Sequence, residues 1–230
     1  MYKGFVILNV TQNMKKLVVF DVDGTLIDTE IGSFKEIGMR LGKKKEIQAH
    51  HEEYERRKRL GPWGLEELGM IFKGINEEDA IRVAKEIIES KLMPGALETI
   101  KELRKRGYII VSYSSSPMRV MIALQKMFGF KDVLGNAIEV KNGKITGRLL
   151  EKVDRYAKAE RLKKFMEKNR IDGENVYVIG DSVTDLPMLE HAKHFIAFNA
   201  KKPEVREKAE QIIDDKNLRK SLEYLPYTKS

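Results

Sequence analysis

Apolar positions along the chain follow two different periods. From residue 30 to residue 92 they recur at helical spacing among charged residues, which predicts helices over 32–41, 47–60, 66–72 and 77–91. Asn76 is placed to cap the last of these and Asp79 to complement its dipole, while Gly61-Pro62-Trp63-Gly64 breaks the stretch in its middle. Outside this segment the apolar residues gather into short runs that predict buried strands: Leu17-Val18-Val19-Phe20, Tyr108-Ile109-Ile110-Val111, Val176-Tyr177-Val178-Ile179 and Phe195-Ile196-Ala197-Phe198. Helical patterns separate them, over 96–106, 117–128 and 154–169, near 185–192 and from about 203. A hairpin is predicted over 137–149, turning at Lys141-Asn142-Gly143-Lys144, because Asn-Gly suits the left-handed positions of a tight turn.

Strands that alternate with helices argue for a parallel sheet covered on both faces. The expected fold class is therefore α/β, a Rossmann-like parallel sheet core with a small helical domain inserted after the first strand. The boundaries read as 14–29 and 93–230 for the core and 30–92 for the insert. Met14-Lys15-Lys16 looks like a second start, which makes 1–13 an N-terminal extension.

Composition narrows the chemistry more than the fold. Cysteine is absent from the 230 residues, so disulfides, thiolate metal sites and cysteine nucleophiles are excluded. No apolar run approaches a membrane span and residues 5–10 are too short for a secretory signal, so a cytoplasmic protein without a membrane partner is expected. The formal charge of +8, with the runs Lys43-Lys44-Lys45 and Arg56-Arg57-Lys58-Arg59, raises nucleic acid as a partner. Acidic residues interleave these runs and no aromatic stacking motif accompanies them, so a solvated helix face that mildly attracts phosphate esters is the better reading. His50, His51, His191 and His194 have no metal-like grouping and are expected at the surface; Trp63, with Pro62 and Tyr54, is read as packing within the insert.

Candidate chemistry collects at the strand ends. Asp21 and Asp23 follow the first strand just before Gly24, at the carboxyl edge where open α/β sheets bind their ligands. Two carboxylates so close repel one another unless a cation or a shared proton intervenes, which makes a divalent metal the natural third member. The strand 176–179 repeats the arrangement: Gly180 permits a sharp turn, Asp181 can face a metal, and Asp185 can bind a metal-bound water, hold the loop or cap the next helix. Hard oxygen ligands without His or Cys favour Mg²⁺ over zinc. Ser112, at the end of its strand, can donate to a phosphate oxygen without adding charge. By spacing alone Lys158 is one of several lysines on its helix, with Lys163, Lys164 and Lys168.

In this order, Asp21-Val22-Asp23-Gly24-Thr25, Ser112, Ala157-Lys158-Ala159-Glu160 and Gly180-Asp181-Ser182-Val183-Thr184-Asp185 resemble the four motifs of the haloacid dehalogenase-like hydrolases. The likeness runs from about Met14 to Leu225 and is strongest to the phosphoserine phosphatase branch, on the helical insert, the 136–147 hairpin and the 217–225 ending. The resemblance implies Mg²⁺-dependent hydrolysis of a small phosphomonoester, with Asp21 as nucleophile and Asp23 as general acid and base. It further implies metal ligation by Asp21, Asp181, Asp185 and the backbone carbonyl of Asp23. Ser112 and Lys158 would hold the phosphoryl oxygens with Tyr113 and Thr184 beside them, and the insert would act as a cap that selects the leaving group. Glu30 matches the acidic residue that meets the substrate's amino group in those enzymes.

Three positions depart from the family pattern. Glu66 stands where a carboxylate-binding arginine is expected, Thr184 replaces an asparagine, and Tyr113 replaces a glycine. Arg56, Arg57 or Arg59 would have to supply the missing cation, so a phosphomonoester is a firmer expectation than phosphoserine itself. A phosphomutase uses the same nucleophile and acid/base pair and stays open. A non-catalytic nucleic-acid-binding protein is disfavoured by the intact acids.

Overall fold

The computed structural model describes residues 15–57 and 64–227. One seven-stranded sheet organises them, in the order β4-β3-β2-β1-β5-β6-β7. The strands are β1 (Leu17–Phe20), β2 (Ile109–Pro117), β3 (Val133–Lys141), β4 (Lys144–Glu151), β5 (Val176–Gly180), β6 (His194–Phe198) and β7 (Gln211–Ile213). Neighbours are parallel except β3 and β4, which form an antiparallel hairpin. Its turn is the one the sequence predicts, with Asn142 at φ 51° and Gly143 at φ 74°.

β1 lies at the centre, and all four of its side chains are buried. A strand paired on both sides and covered on both faces has no solvent side, which is why its sequence is an unbroken apolar run. Alternate residues feed two apolar clusters: Val18 and Phe20 face one, Leu17 and Val19 the other. The register sets Phe20 opposite Ser112 on one side and Ile179 on the other, so the acids that follow β1 and β5 emerge at the same edge.

Four helices, α1 (Ser33–Arg40), α2 (Lys44–Arg57), α3 (Leu65–Ile71) and α4 (Glu77–Lys91), fall between β1 and α5 (Ala96–Lys105). Phe34, Ile37, Phe72 and Ile87 of this segment join the same apolar cluster as Val18 and Phe20. The chain leaves and re-enters the sheet layer side by side: Asp28 N donates to Lys91 O at 2.8 Å and Met93 N to Leu26 O at 2.9 Å. A second attachment is made to the hairpin. Gly74 N donates to Ile145 O, Ile145 N to Ile75 O and Glu77 N to Gly143 O, at 2.8, 2.9 and 2.9 Å. Asn76 does stand at the N-cap of α4, but without a side-chain capping bond; the hairpin carbonyl takes up the free N–H next to it.

The remaining helices are α6 (Met118–Phe128), α7 (Arg155–Asn169) and α8 (Pro203–Arg206). The structure departs from expectation in four places. β2 continues through the serine-rich stretch to Pro117, because β3 pairs with it there and the serine hydroxyls find internal partners. The helix expected near 185–192 is a short 3₁₀ turn, Leu186–Glu190, with Pro187 in its first positions. The final helix is only the four residues of α8; β7 and a 3₁₀ turn at Leu218–Tyr224 follow it. His50 is buried rather than exposed, with Nε2 2.6 Å from Gly64 O. Tyr54 is 40% exposed beneath the Lys35 ammonium, while residues 1–14, Pro62, Trp63 and Arg59 lie outside the described residues.

Candidate active site

Asp21 is the first residue past β1, held there by its N–H, which donates to Ile179 O at 2.9 Å. The strand β5 brings up Asp181 and Asp185 beside it. Carboxylate oxygens of Asp21, Asp181 and Asp185 all lie within 4.8 Å of one another. Two glycines make room for the cluster. A Cβ on Gly24, whose φ is +83°, would sit 2.4 Å from Asp181 Oδ2, and one on Gly180 would sit 2.3 Å from Asp185 Oδ2.

The counter-charge comes from α7. Asp154 caps this helix through bonds from Tyr156 N and Ala157 N at 2.9 and 2.8 Å, and one turn later Lys158 points into the acids. Its Nζ lies 3.0 Å from Asp21 Oδ1, 2.8 Å from Asp185 Oδ1 and 3.2 Å from Thr184 Oγ1, with only 1% of the residue exposed. Burial works to lower the Lys158 pKa, but Asp185 and Asp21 outweigh it and hold the ammonium charged. Asp185, which occupies the N-cap position of its 3₁₀ turn, makes no side-chain capping bond; it takes Lys158 and the Ser182 N–H instead.

One ammonium does not balance three carboxylates, of which Asp21 and Asp185 are buried and Asp181 half-buried. Burial and the neighbouring Asp21 and Asp185 charges push Asp181 up to about 8, and burial with Asp21 pushes Asp185 up to about 6. The cluster therefore has the hard oxygen donors, the excess negative charge and the glycine-cleared space that a small divalent cation requires.

Asp23 is not part of that cluster and has hydrogen-bond partners of its own. Oδ1 accepts from Thr29 Oγ1 at 3.1 Å and Ser33 N at 2.9 Å; Oδ2 accepts from Ser33 Oγ at 3.1 Å and Ser116 Oγ at 2.8 Å. Desolvation raises its pKa, against the pull of the Ser116 and Ser33 hydrogen bonds and with the help of Asp21. Ser33 and Ser116 were not singled out from the sequence. Both are fully buried, and the Ser116 hydroxyl is also 2.8 Å from that of Ser114.

The structure sorts the other sequence candidates. Ser112 Oγ donates inward to Phe20 O at 3.1 Å, so its hydroxyl is committed within the sheet. Ser114, next on the same face, reaches the Asp23 network through Ser116, because the strand ends later than its composition suggests. The Tyr113 side chain packs in the cluster with Leu17 and Val19, its hydroxyl donating to Asp132 Oδ2 at 2.8 Å. Thr184 lies at the Lys158 ammonium and is linked to Ser182 Oγ at 2.8 Å. Glu30 is exposed, where its charge acts on Lys216. Glu66 pairs with Lys152, and Arg56 and Arg57 with Glu53.

The family model of haloacid dehalogenase-like hydrolases matches residues 18–190, which takes in Asp21, Asp23, Lys158, Asp181 and Asp185. The chain belongs to the haloacid dehalogenase-like hydrolases. Among these hydrolases it stands in the phosphoserine phosphatase-like branch. It is 31% identical over 215 residues to the phosphoserine phosphatase of Methanocaldococcus jannaschii, covering 93% of this chain and 99% of that one. It is 32% identical over 205 residues to the phosphoserine phosphatase of Archaeoglobus fulgidus, covering 89% of this chain but only 58% of the longer relative. A solved phospho-aspartyl intermediate analogue of phosphoserine phosphatase superposes with a TM-score of 0.79 at 30% identity, over 93% of this chain and all of that one. Among the described residues of this hydrolase, no helix is long and apolar enough to cross a membrane.

Proposed function

We propose that the protein hydrolyses a small organic phosphomonoester in two displacements at phosphorus, with Asp21 as nucleophile. The protein is a phosphatase of its family, and the observation that carries the mechanism is the division of its acids. Asp21 lies against an ammonium and beside two further carboxylates, while Asp23 accepts from Thr29, Ser33 and Ser116 and has its pKa raised by burial. One carboxylate is thus suited to attack and the other to deliver a proton.

In the first displacement an Asp21 oxygen bonds to phosphorus as the bond to the alcohol oxygen breaks, and Asp23 gives its proton to that oxygen. In the second, Asp23 takes a proton from water, the water oxygen attacks phosphorus, and Asp21 leaves as a carboxylate with inorganic phosphate formed. Lys158 offsets the charge that gathers as the phosphoryl group meets Asp21. Of the strand serines, Ser114 rather than Ser112 is read as meeting a phosphoryl oxygen, since its hydroxyl joins the Asp23 network through Ser116 while that of Ser112 bonds back to Phe20 O within the sheet. Asp21, Asp181 and Asp185, with the Asp23 carbonyl, would hold Mg²⁺, whose charge when bound lowers the repulsion between anionic ester and carboxylate.

Residues 30–92 serve as the cap in this reading. Ser33 belongs to α1 and bonds Asp23, so the helical segment supplies part of the proton-delivering group's surroundings as well as the cover that excludes water. The test is phosphate release from a panel of phosphomonoesters with Mg²⁺ and with excess chelator, including phosphoserine because the relatives are named for it. Release that needs the metal and disappears in Asp21→Asn is the expected result; release that persists in Asp21→Asn would overturn the nucleophile.

A further inference from the structure

A cavity of about 480 Å³ opens beside α7, at the amino ends of β2 and β3. Asp21 and Asp181 follow the carboxyl ends of β1 and β5, at the opposite edge of the sheet. Lys168, in the cavity wall, stands ten residues beyond Lys158 on the same helix, about 15 Å along its axis at a rise of 1.5 Å per residue. The space is therefore separate from the carboxylate site. Ile109 and Phe165 give it an apolar part; both are half-buried against the cluster that holds Leu17 and Val19.

The rest of the wall is basic. Lys131, Arg161, Lys164 and Lys168 line it, against the single acid Asp132. Asp132 is already committed: it accepts from Arg161 Nε at 2.7 Å, from a second guanidinium nitrogen at 2.5 Å and from the Tyr113 hydroxyl at 2.8 Å. Lys164 is paired with Glu160 at 2.5 Å, whereas Lys131 and Lys168 have no ion-pair partner among the described residues. A further ammonium arrives with Lys15, whose Nζ donates to the carbonyl of the wall residue Asn169 at 3.0 Å. Lys164 and Lys168 are four apart, where like charges share a helix face and repel. An anion between them turns that repulsion into attraction, and concave walls of one sign concentrate the field that draws it in.

We infer that this cavity binds a nucleoside polyphosphate, with the phosphates at Lys131, Lys164 and Lys168 and the base against Phe165. The ammonium groups act as point charges for phosphate, and an aromatic ring is a stacking surface for any base. A bare phosphate would leave Ile109 and Phe165 uncovered. The volume falls within the roughly 300–1,000 Å³ usual for small-molecule sites. This second site does not depend on what Asp21 does.

The experiment is calorimetric titration of the whole protein with ATP, tripolyphosphate and adenosine, in excess chelator so that metal-dependent turnover is absent. ATP should bind at least tenfold more tightly than either fragment, and more weakly as salt is raised. The double variant Lys131→Ala with Lys168→Ala, at two exposed positions, should lose at least tenfold in ATP affinity with Tm unchanged. Asp21→Asn should leave that affinity as it is. ATP binding that survives the double variant, or that shifts tenfold in Asp21→Asn, would put the anion elsewhere and overturn the inference. Tripolyphosphate binding as tightly as ATP, or no binding by any of the three, would overturn it as well. Metal-dependent phosphate release from esters is read separately and stands or falls without this site.

Discussion

The Lys158 ammonium lies 3.0 Å from Asp21 Oδ1, with both side chains almost wholly buried. Removing the charge leaves Asp21 and Asp185 to repel one another in a space that water does not screen. Lys158→Met, which keeps most of the volume, should lower kcat by about a hundredfold or more, by analogy with the loss of one preorganised stabilising group. Its folding should also depend on Mg²⁺ more strongly than the wild type's, read as the difference in Tm with metal and with chelator. An unchanged kcat would show that the ammonium plays no part in the reaction.

The Ser116 bond to Asp23 gives a test that separates proton delivery from attack. Asp23→Asn should cost about a hundredfold or more with an alkyl phosphate, whose alcohol leaves badly without a proton. The loss should be much smaller in the first displacement with p-nitrophenyl phosphate, measured as a burst of nitrophenol. Ser116→Ala removes a bond that lowers the Asp23 pKa, so the limb of the kcat profile that reports Asp23 should move to higher pH. Equal losses for both esters in Asp23→Asn would argue against the acid role.

Gly24 is the residue over which Asp181 is folded. Its φ of +83° disfavours any side chain, and a Cβ would overlap the Asp181 carboxylate. Gly24→Ala should cost about 1–2 kcal/mol in backbone strain alone and weaken Mg²⁺ binding by displacing Asp181. Titration with the metal, followed by calorimetry, reads the second effect independently of turnover. Wild-type affinity in the variant would mean that Asp181 is not a ligand.

Stability without metal should fall as pH rises. Asp181 and Asp185 hold their protons more tightly in the folded chain than at the ordinary carboxyl value of 3.8, at about 8 and about 6. Raised folded values stabilise fully below the unfolded pKa, and that contribution is lost as pH climbs through the folded ones. The Tm of chelator-treated protein should therefore drop between about pH 5 and pH 8. Mg²⁺ should raise Tm more at the upper end, where it has fewer protons to displace. A Tm that climbed over this range without metal would contradict the raised values.

What the sequence made legible was local. The run Leu17–Phe20 and the acids after it can be read because a buried central strand is apolar throughout and ends where the polar residues begin. The serines of β2 were misplaced for the opposite reason. Ser112, Ser114 and Ser116 look like a turn by composition, but the length of that strand is set by its pairing with β3, which lies some twenty residues on. β7 was hidden in the same way, as a three-residue strand amid charged neighbours whose order comes from pairing with β6. Lys158 stands among similar lysines, and spacing alone does not distinguish it; the motif resemblance picks it out, and the fold turns it inward onto Asp21 and Asp185.

The three backbone hydrogen bonds between residues 74–77 and the hairpin give the enzyme a mechanical character that its two linkers alone would not. Helices and hairpin tip are coupled, so any swing that uncovers Asp21 must either carry the tip along or unzip those bonds in turn. With residues 30–92 as the proposed cap, the hairpin is tied into whatever movement lets product leave, although it lies far along the chain from the carboxylates.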